Sequence, residues 1–145
     1  MSSYVVETET ETVNSNDEED LRQIIKEMAT MTSTDRPGRK HMHDECVFIR
    51  PTGNPLSMQA WDAMMDSDDV TLHGSELVDV HKLHINGDMA YACYTTHSRF
   101  NYKGTDNDDI AVFTGVFERH DSTWKLIHGQ RSTGRTPEDE LPKFD

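Results

Sequence analysis

Residues 124–132 read Trp-Lys-Leu-Ile-His-Gly-Gln-Arg-Ser, a segment with the alternating side chains of a β-strand. Three more segments of this kind precede it, at about residues 72–85, 88–102 and 109–119, and short polar turns join them. The first turn, Asn86-Gly87, is the strongest two-residue signal for a β-hairpin. A meander of this size buries one face of its sheet, and too little helix precedes it to cover that face. The sequence therefore predicts a bent sheet with a hollow beside it.

The N-terminal half of the chain predicts two helices with a short strand between them. Four apolar residues between positions 21 and 28 recur at the spacing of one helix face, and Asn16 followed by Glu19 matches a capping box at the start of that helix. Residues 46–50 form a short apolar strand. A second helix is expected over residues 55–66, which begin with a proline.

This order of elements is typical of an α+β domain, in which N-terminal helices pack on a strongly curved antiparallel β-sheet. A chain of 145 residues has room for one hydrophobic core and its flanking tails. We expect a disordered acidic tail over residues 1–16, one domain over residues 17–134 and a C-terminal tail over residues 135–145.

Composition argues against several classes of partner. The net charge is -13, but residues 1–20 alone contain seven acids and no base, so the acidity is concentrated at the N-terminus. Nucleic-acid binding depends on clustered lysine and arginine, which this chain lacks. The mean hydropathy is -0.77, no apolar run approaches the length of a membrane span, and the N-terminus lacks the features of a secretory signal. We therefore expect no nucleic acid, no membrane and a cytoplasmic location, with Cys46 and Cys93 as buried, reduced thiols.

Four short motifs follow one another at consistent spacing and carry a resemblance to a known family. They are the apolar strand that runs into Pro51-Thr52-Gly53-Asn54, the strand opening Gly87-Asp88-Met89-Ala90, the hairpin of residues 116–125, and the closing His128-Gly129-Gln130-Arg131-Ser132. Over residues 17–134 the chain resembles the nuclear transport factor 2-like, or SnoaL-like, superfamily of cystatin-like α+β cones. It is most similar to stand-alone proteins that resemble the association domain of calcium/calmodulin-dependent kinase II.

This resemblance implies a conical fold with an internal pocket and a homodimer formed through the outer face of the sheet. It implies no single activity, because members include dehydratases, isomerases, epoxide hydrolases, a metal-optional class of carbonic anhydrase and non-catalytic adaptors. A small-molecule ligand in the pocket is the expected partner. Oligomerisation without a ligand is a separate hypothesis.

The closing strand carries polar side chains that we place inside the cone. His128, Gln130 and Ser132 alternate on the strand face of Trp124, which is expected to pack in the core. Buried polar groups need hydrogen-bond partners, so these three side chains either contact a ligand or form an internal network.

A ligand that is apolar or carries a carboxylate is the first hypothesis. Arg50 follows an apolar strand and suits a carboxylate at the pocket mouth, as does Arg131; pairing with surface acids is the alternative. The other predicted ligand-binding residues face the same interior and are Trp61, Thr96 and Phe117.

Catalysis of the isomerase or dehydratase type is the second hypothesis. Asp44 would act as the base, Tyr94 would donate a hydrogen bond to the developing oxyanion, and His128 would complete the catalytic set. In the alternative interpretation, Asp44 caps a turn and Tyr94 packs with its hydroxyl satisfied. Asp79 and His81 form either a second proton-transfer pair or an ordinary surface pair. Hydration of carbon dioxide is a narrower version of this catalytic hypothesis. Residues 129–133, however, depart from the His-His-Ser-Ser pattern that the resemblance implies for the carbonic-anhydrase class.

His41 and His43, with Asp44 or Glu45, have the donor atoms of a zinc or manganese site. With eight histidines in the chain, such spacings also arise by chance. We therefore predict no metal and no cofactor.

Overall fold

The structure is a computed structural model that describes the backbone of residues 5–138 and the side chains of residues 16–138. The described elements follow in chain order: α1 (Val5–Ala29), a 3-10 helix (Pro37–His41), β1 (Met42–Ile49), β2 (Pro55–Leu56), α2 (Met58–Asp66), β3 (Val70–Asn86), β4 (Met89–Tyr102), β5 (Thr105–His120) and β6 (Thr123–Arg131).

The described strands form one six-stranded curved sheet in the order β2-β1-β6-β5-β4-β3, with the helices packed on one face. The predicted α+β class is confirmed. The sheet is mixed rather than wholly antiparallel, because β1 and β6 run parallel whereas all other neighbours are antiparallel. A parallel pair needs a long connection, and here the whole meander of β3, β4 and β5 provides it.

Helix α1 buries the apolar stripe that its sequence predicts, with Leu21, Ile24, Ile25 and Met28 all in the core. The helix begins at Val5 rather than at Asn16, because the preceding residues contain neither proline nor glycine to interrupt it. Residues 1–4 and 139–145, which belong to the predicted tails, lie outside the described residues. The division into tail, domain and tail remains a prediction.

One close approach fixes α1 against the 3-10 helix. A Cβ atom added to Gly38 would lie 2.3 Å from Met28 Cα, so the two backbones pack at a separation that only glycine permits. Glu27 reinforces the contact, because its Oε1 lies 3.1 Å from His41 Nε2.

Asp17 links α1 to the hairpin formed by β5 and β6. It is buried, and its Oδ1 accepts hydrogen bonds from Arg119 Nη1 at 2.7 Å and from Trp124 Nε1 at 3.3 Å. Arg119 Nε also donates to Asp88 Oδ1 at 2.9 Å. The first helix and the last hairpin are thus held together by one charged network.

Helix α2 begins three residues later than predicted. Ser57 caps it, because Ser57 Oγ accepts a hydrogen bond from the Ala60 amide at 3.1 Å. Pro55 and Leu56 instead pair with β1 as the short strand β2. The buried face of α2 consists of Met58, Trp61 and Met65.

A β-bulge interrupts β6. Phe117 of β5 pairs with Leu126, whereas the preceding Val116 pairs with His128, so Ile127 is an extra residue on β6. A single extra residue moves all later side chains of the strand to the opposite face.

No helix in the described part of the chain combines the length and the hydropathy that crossing a bilayer requires.

Candidate functional site

A cavity of about 570 Å³ lies between the helices and the concave face of the sheet. This volume falls in the range of small-molecule binding sites. Five methionines from both helices, the adjoining loop and β1 form one wall: Met28, Met31, Met42, Met64 and Met65. Aromatic rings form much of the remainder: Phe48, Trp61, Tyr94, Phe100, Tyr102 and Phe113. Methionine side chains are unbranched and polarisable, so this wall can adjust to ligands of different shape.

Arg131 places a guanidinium group inside this apolar chamber. Its Nη2 is buried, lies 3.5 Å from Asp109 Oδ2 and makes no hydrogen bond to any residue that the structure describes. Burial lowers the pKa of Arg131, and the nearby Asp109 carboxylate opposes that shift. The Cζ atom lies 5.9 Å from the centroid of the Phe100 ring. The group is therefore a desolvated cation with unused hydrogen-bonding capacity.

Asp109 packs against the chain that follows β6. A Cβ atom on Gly134 would lie 2.5 Å from Asp109 Cγ, so a larger residue there would require the Asp109 side chain to shift. Next to it, Ile110 and Arg135 exchange two backbone hydrogen bonds of 2.7 Å each. Asp109 is the one carboxylate among the described residues that line the cavity.

Arg50 provides a second cation at the end of β1. Its Nη1 lies 3.4 Å from Met64 Sδ, a weak acceptor. The turn that follows closes through a 2.8 Å hydrogen bond from the Gly53 amide to the Arg50 carbonyl, with Gly53 at φ 82°. The turn thereby brings Pro51 and Thr52 to the cavity lining.

Tyr94 lies on the concave face of β4, and its ring centroid is 5.0 Å from that of Phe113. Burial raises the pKa of its hydroxyl, so the group is neutral and able to donate a hydrogen bond. Among the described residues nothing accepts that hydrogen bond. Thr96 and Ser98 continue the same face toward the mouth.

The chain matches, over residues 16–139, a family described as Protein of unknown function (DUF3804). It belongs to this family. Among solved structures, an NTF2-like protein of unknown function from Prochlorococcus marinus is 35% identical, with 82% of this chain and 94% of that chain covered and a TM-score of 0.73. The predicted membership of the NTF2-like superfamily is thus confirmed.

More distant structures share the fold of this DUF3804 protein. An NTF2-like protein with a cystatin-like fold from Novosphingobium aromaticivorans is 13% identical, with 91% of each chain covered and a TM-score of 0.65. A putative calcium/calmodulin-dependent kinase II association domain from Exiguobacterium sibiricum is 12% identical, with 95% of this chain and 99% of that chain covered and a TM-score of 0.62. None of the curated proteins matches the sequence.

Four of the predicted site residues meet in the cavity: Arg50, Trp61, Tyr94 and Thr96. The predicted site residues on and just after β6 do not line the cavity. Because of the bulge at Ile127, Arg131 takes the inner face, whereas His128 and Gln130 turn to the outer face, where Gln130 is exposed. Ser132 is also exposed, and its Oγ accepts a hydrogen bond from the Val112 amide at 3.0 Å.

The predicted catalytic set is not assembled. Asp44 is exposed on β1, within the stretch between Met42 and Val47 where the register with β6 shifts. His128 lies on the outer face, and only Tyr94 of the three lines the cavity. Phe117 is fully buried in the core, close to Gly115, and does not line the cavity either.

The other histidine pairs have separate partners. His41 contacts Glu27, whereas the His43 ring packs on the His120 ring with centroids 5.2 Å apart. His81 Nε2 lies 2.6 Å from Thr95 Oγ1, and its Nδ1 lies 3.7 Å from Asp79 Oδ2, on the face away from Tyr94. Among the described residues, no group of three histidine, cysteine or acidic side chains has the arrangement of a metal site.

The sequence interpretation missed Asp109 and the methionine wall. Asp109 lies four residues before Phe113 in β5, so the two side chains share one face of the strand. This alternation could have indicated that Asp109 faces the cavity. The methionines come from different elements, and no local pattern in the sequence indicates that they meet.

Proposed function

We propose that this protein binds a small, largely apolar molecule that carries an anionic group, and holds it in the cone cavity. The observation that supports the proposal most strongly is the buried Arg131 guanidinium, whose Nη2 has no hydrogen-bond partner among the described residues. A buried charge is costly unless it is both paired and hydrogen-bonded. A carboxylate, which accepts two parallel N–H bonds from arginine, would meet both needs.

The apolar lining supports the remainder of the proposal. Each methylene group transferred from water to an apolar wall contributes about 0.8 kcal/mol. The methionine wall and Trp61 offer such a surface beside Arg131. Arg50 and the free Tyr94 hydroxyl would supply further polar contacts to the anionic group.

A titration with butanoate, hexanoate, octanoate and decanoate tests the proposal. Trp61 lines the cavity, so its fluorescence should change on binding, with affinity rising along the series. The Trp61→Phe variant should lose most of this signal while still showing a rise in melting temperature with ligand.

Two arginine variants make the test specific. Arg131→Gln should weaken decanoate binding at least tenfold, whereas Arg99→Gln, on the exposed outer face of β4, should leave it unchanged. If no member of the series changes either the fluorescence or the melting temperature, the proposal is wrong.

A second function, self-association through the outer face of the sheet, is supported by a separate observation. The pairing of strands places Tyr91, Val116, His128 and Val47 in one row across that face, and Tyr91 and Val47 are exposed. Exposed apolar side chains grouped in this way are typical of an interface.

Light scattering tests self-association directly. We expect a dimer at micromolar concentration that Tyr91→Ser weakens. The matched variant Tyr102→Ser removes an exposed tyrosine at the cavity side and should leave the dimer intact. A wild-type monomer would contradict this second function.

A further inference from the structure

Arg131 and Asp109 place one positive and one negative charge beside each other inside the cavity. Arg131 and Asp109 are close enough to attract each other, but at 3.5 Å between Nη2 and Oδ2 they are farther apart than in a good charged hydrogen bond. On its other side the carboxylate packs closely against Gly134, where an added Cβ atom would lie 2.5 Å from Asp109 Oδ2. Asp109 therefore neutralises the guanidinium while leaving its Nη2 without a hydrogen bond.

We infer that Asp109 is a built-in counter-ion that competes with the anionic group of the ligand for Arg131, and so sets the affinity and charge selectivity of the cavity. The inference rests on the proposed function. Before an anion binds, the Asp109 carboxylate lowers the free-energy cost of burying the guanidinium charge. When an anion binds, two negative groups share one guanidinium, and their repulsion weakens binding.

Removing the charge of Asp109 should therefore strengthen anion binding, although Asp109 itself lines the site. Asn is nearly isosteric with Asp, so Asp109→Asn keeps the packing against Gly134. A residue that merely held the site in shape would give the opposite result, since its replacement would weaken binding or leave it unchanged.

The experiment compares decanoate with decanol, which share a chain length and differ in charge. In Asp109→Asn, the affinity for decanoate should rise at least tenfold over wild type, while the affinity for decanol stays within twofold. Asp108→Asn is the matched control, because it removes the same charge from the neighbouring, exposed residue on the outer face and should change neither affinity.

A double variant locates the effect. In Arg131→Gln, adding Asp109→Asn should produce no further gain for decanoate, because the competition is for the guanidinium. The inference is overturned if the affinity for decanoate still rises without Arg131, or rises equally in Asp108→Asn. Either result would mean that the change acts through the net charge of the protein rather than through Arg131.

The remaining outcomes separate the two proposals. If both probes bind and Asp109→Asn leaves their affinity ratio unchanged, the inference fails and the proposed function stands. If neither probe binds to wild type or variant, both fail. Should Asp109→Asn not fold, the wild-type protein with ¹³C-labelled aspartate suffices: decanoate, but not decanol, should shift the Asp109 carboxyl resonance, and an unmoved resonance would contradict the inference.

Discussion

Single residues decide which side chains reach the cavity. Tyr94 and Thr96 lie two residues apart in β4, and because the register between β4 and β5 runs without interruption, simple alternation places both side chains on one face. On β6, one extra residue at Ile127 reverses the alternation for His128, Gln130 and Arg131. A bulge depends on the backbone of two strands together, and the side-chain pattern of one strand does not reveal it.

Gly38 provides a prediction at this scale. Gly38→Ala places a Cβ atom 2.3 Å from Met28 Cα, and backbone cannot move aside as a flexible side chain does. We expect the free energy of unfolding to fall by about 1–3 kcal/mol, as for other overpacked sites. Urea denaturation measures the loss.

Gly74→Ala is the matched control for this experiment. The Cβ atom it adds meets only Arg99 Nη2, at an ordinary 3.6 Å. We expect a change of less than about 0.5 kcal/mol, as for substitutions that create no clash, cavity or unsatisfied group. Equal effects of the two changes would mean that the approach of α1 to the 3-10 helix is not a constraint.

At the scale of elements, periodicity predicts most of the structure. The four long strands, the short strand before α2 and the buried stripe of α1 lie where the alternation and the helical spacing place them. The ends of the helices are less well predicted, because several residues near each end can act as a cap. Ser57 caps α2, which begins three residues after the predicted start at Pro55, and α1 continues past Asn16 toward Val5.

The contact between α1 and the 3-10 helix gives a prediction of pH dependence. Hydrogen bonds from Gln23 and His41 lower the pKa of Glu27 from 4.5 to about 2. A carboxyl with a lowered pKa in the folded state stabilises the protein fully above its unfolded pKa. This stabilisation is lost as the pH falls from about 4.5 through about 2.

Denaturant titrations at a series of pH values check the sign. Glu27→Gln should be less stable than wild type at pH 6, and the difference between the two proteins should shrink between pH 4.5 and pH 2. A difference that is constant over this range would show that the ionisation of Glu27 does not contribute to folding.

At the scale of the whole molecule, the curved sheet and the cavity were predictable, whereas the contents of the cavity were only partly so. A long meander with few helices implies a hollow, and Arg50 and Trp61 line the cavity that the structure contains. The buried cation of the cavity is Arg131, and its carboxylate partner comes from a different strand, β5. Such a pair is created by tertiary packing, so local sequence patterns do not reveal it.

The network around Asp17 gives a prediction at this scale, because it joins residues 102 positions apart in the chain. Asp17→Ala leaves the Trp124 indole N–H and one Arg119 donor without their acceptor. We expect the free energy of unfolding to fall by about 2 kcal/mol, the usual cost of unsatisfied buried groups. Calorimetry or urea denaturation provides the measurement.

Asp20→Ala, an exposed change on the same helix, is the control and should have little effect. If the two variants are equally stable, the link between α1 and the last hairpin contributes nothing to folding.

The parallel pairing of β1 with β6 affects the order in which the strands can pair while the chain is being synthesised. β1 emerges from the ribosome early, yet its partner along one edge appears only after the entire meander has been translated. Until then β1 has only the two-residue β2 beside it. Closing so long a loop is slow, so a nascent chain would leave the apolar end of β1 unpaired along that edge, and the cavity would be completed last.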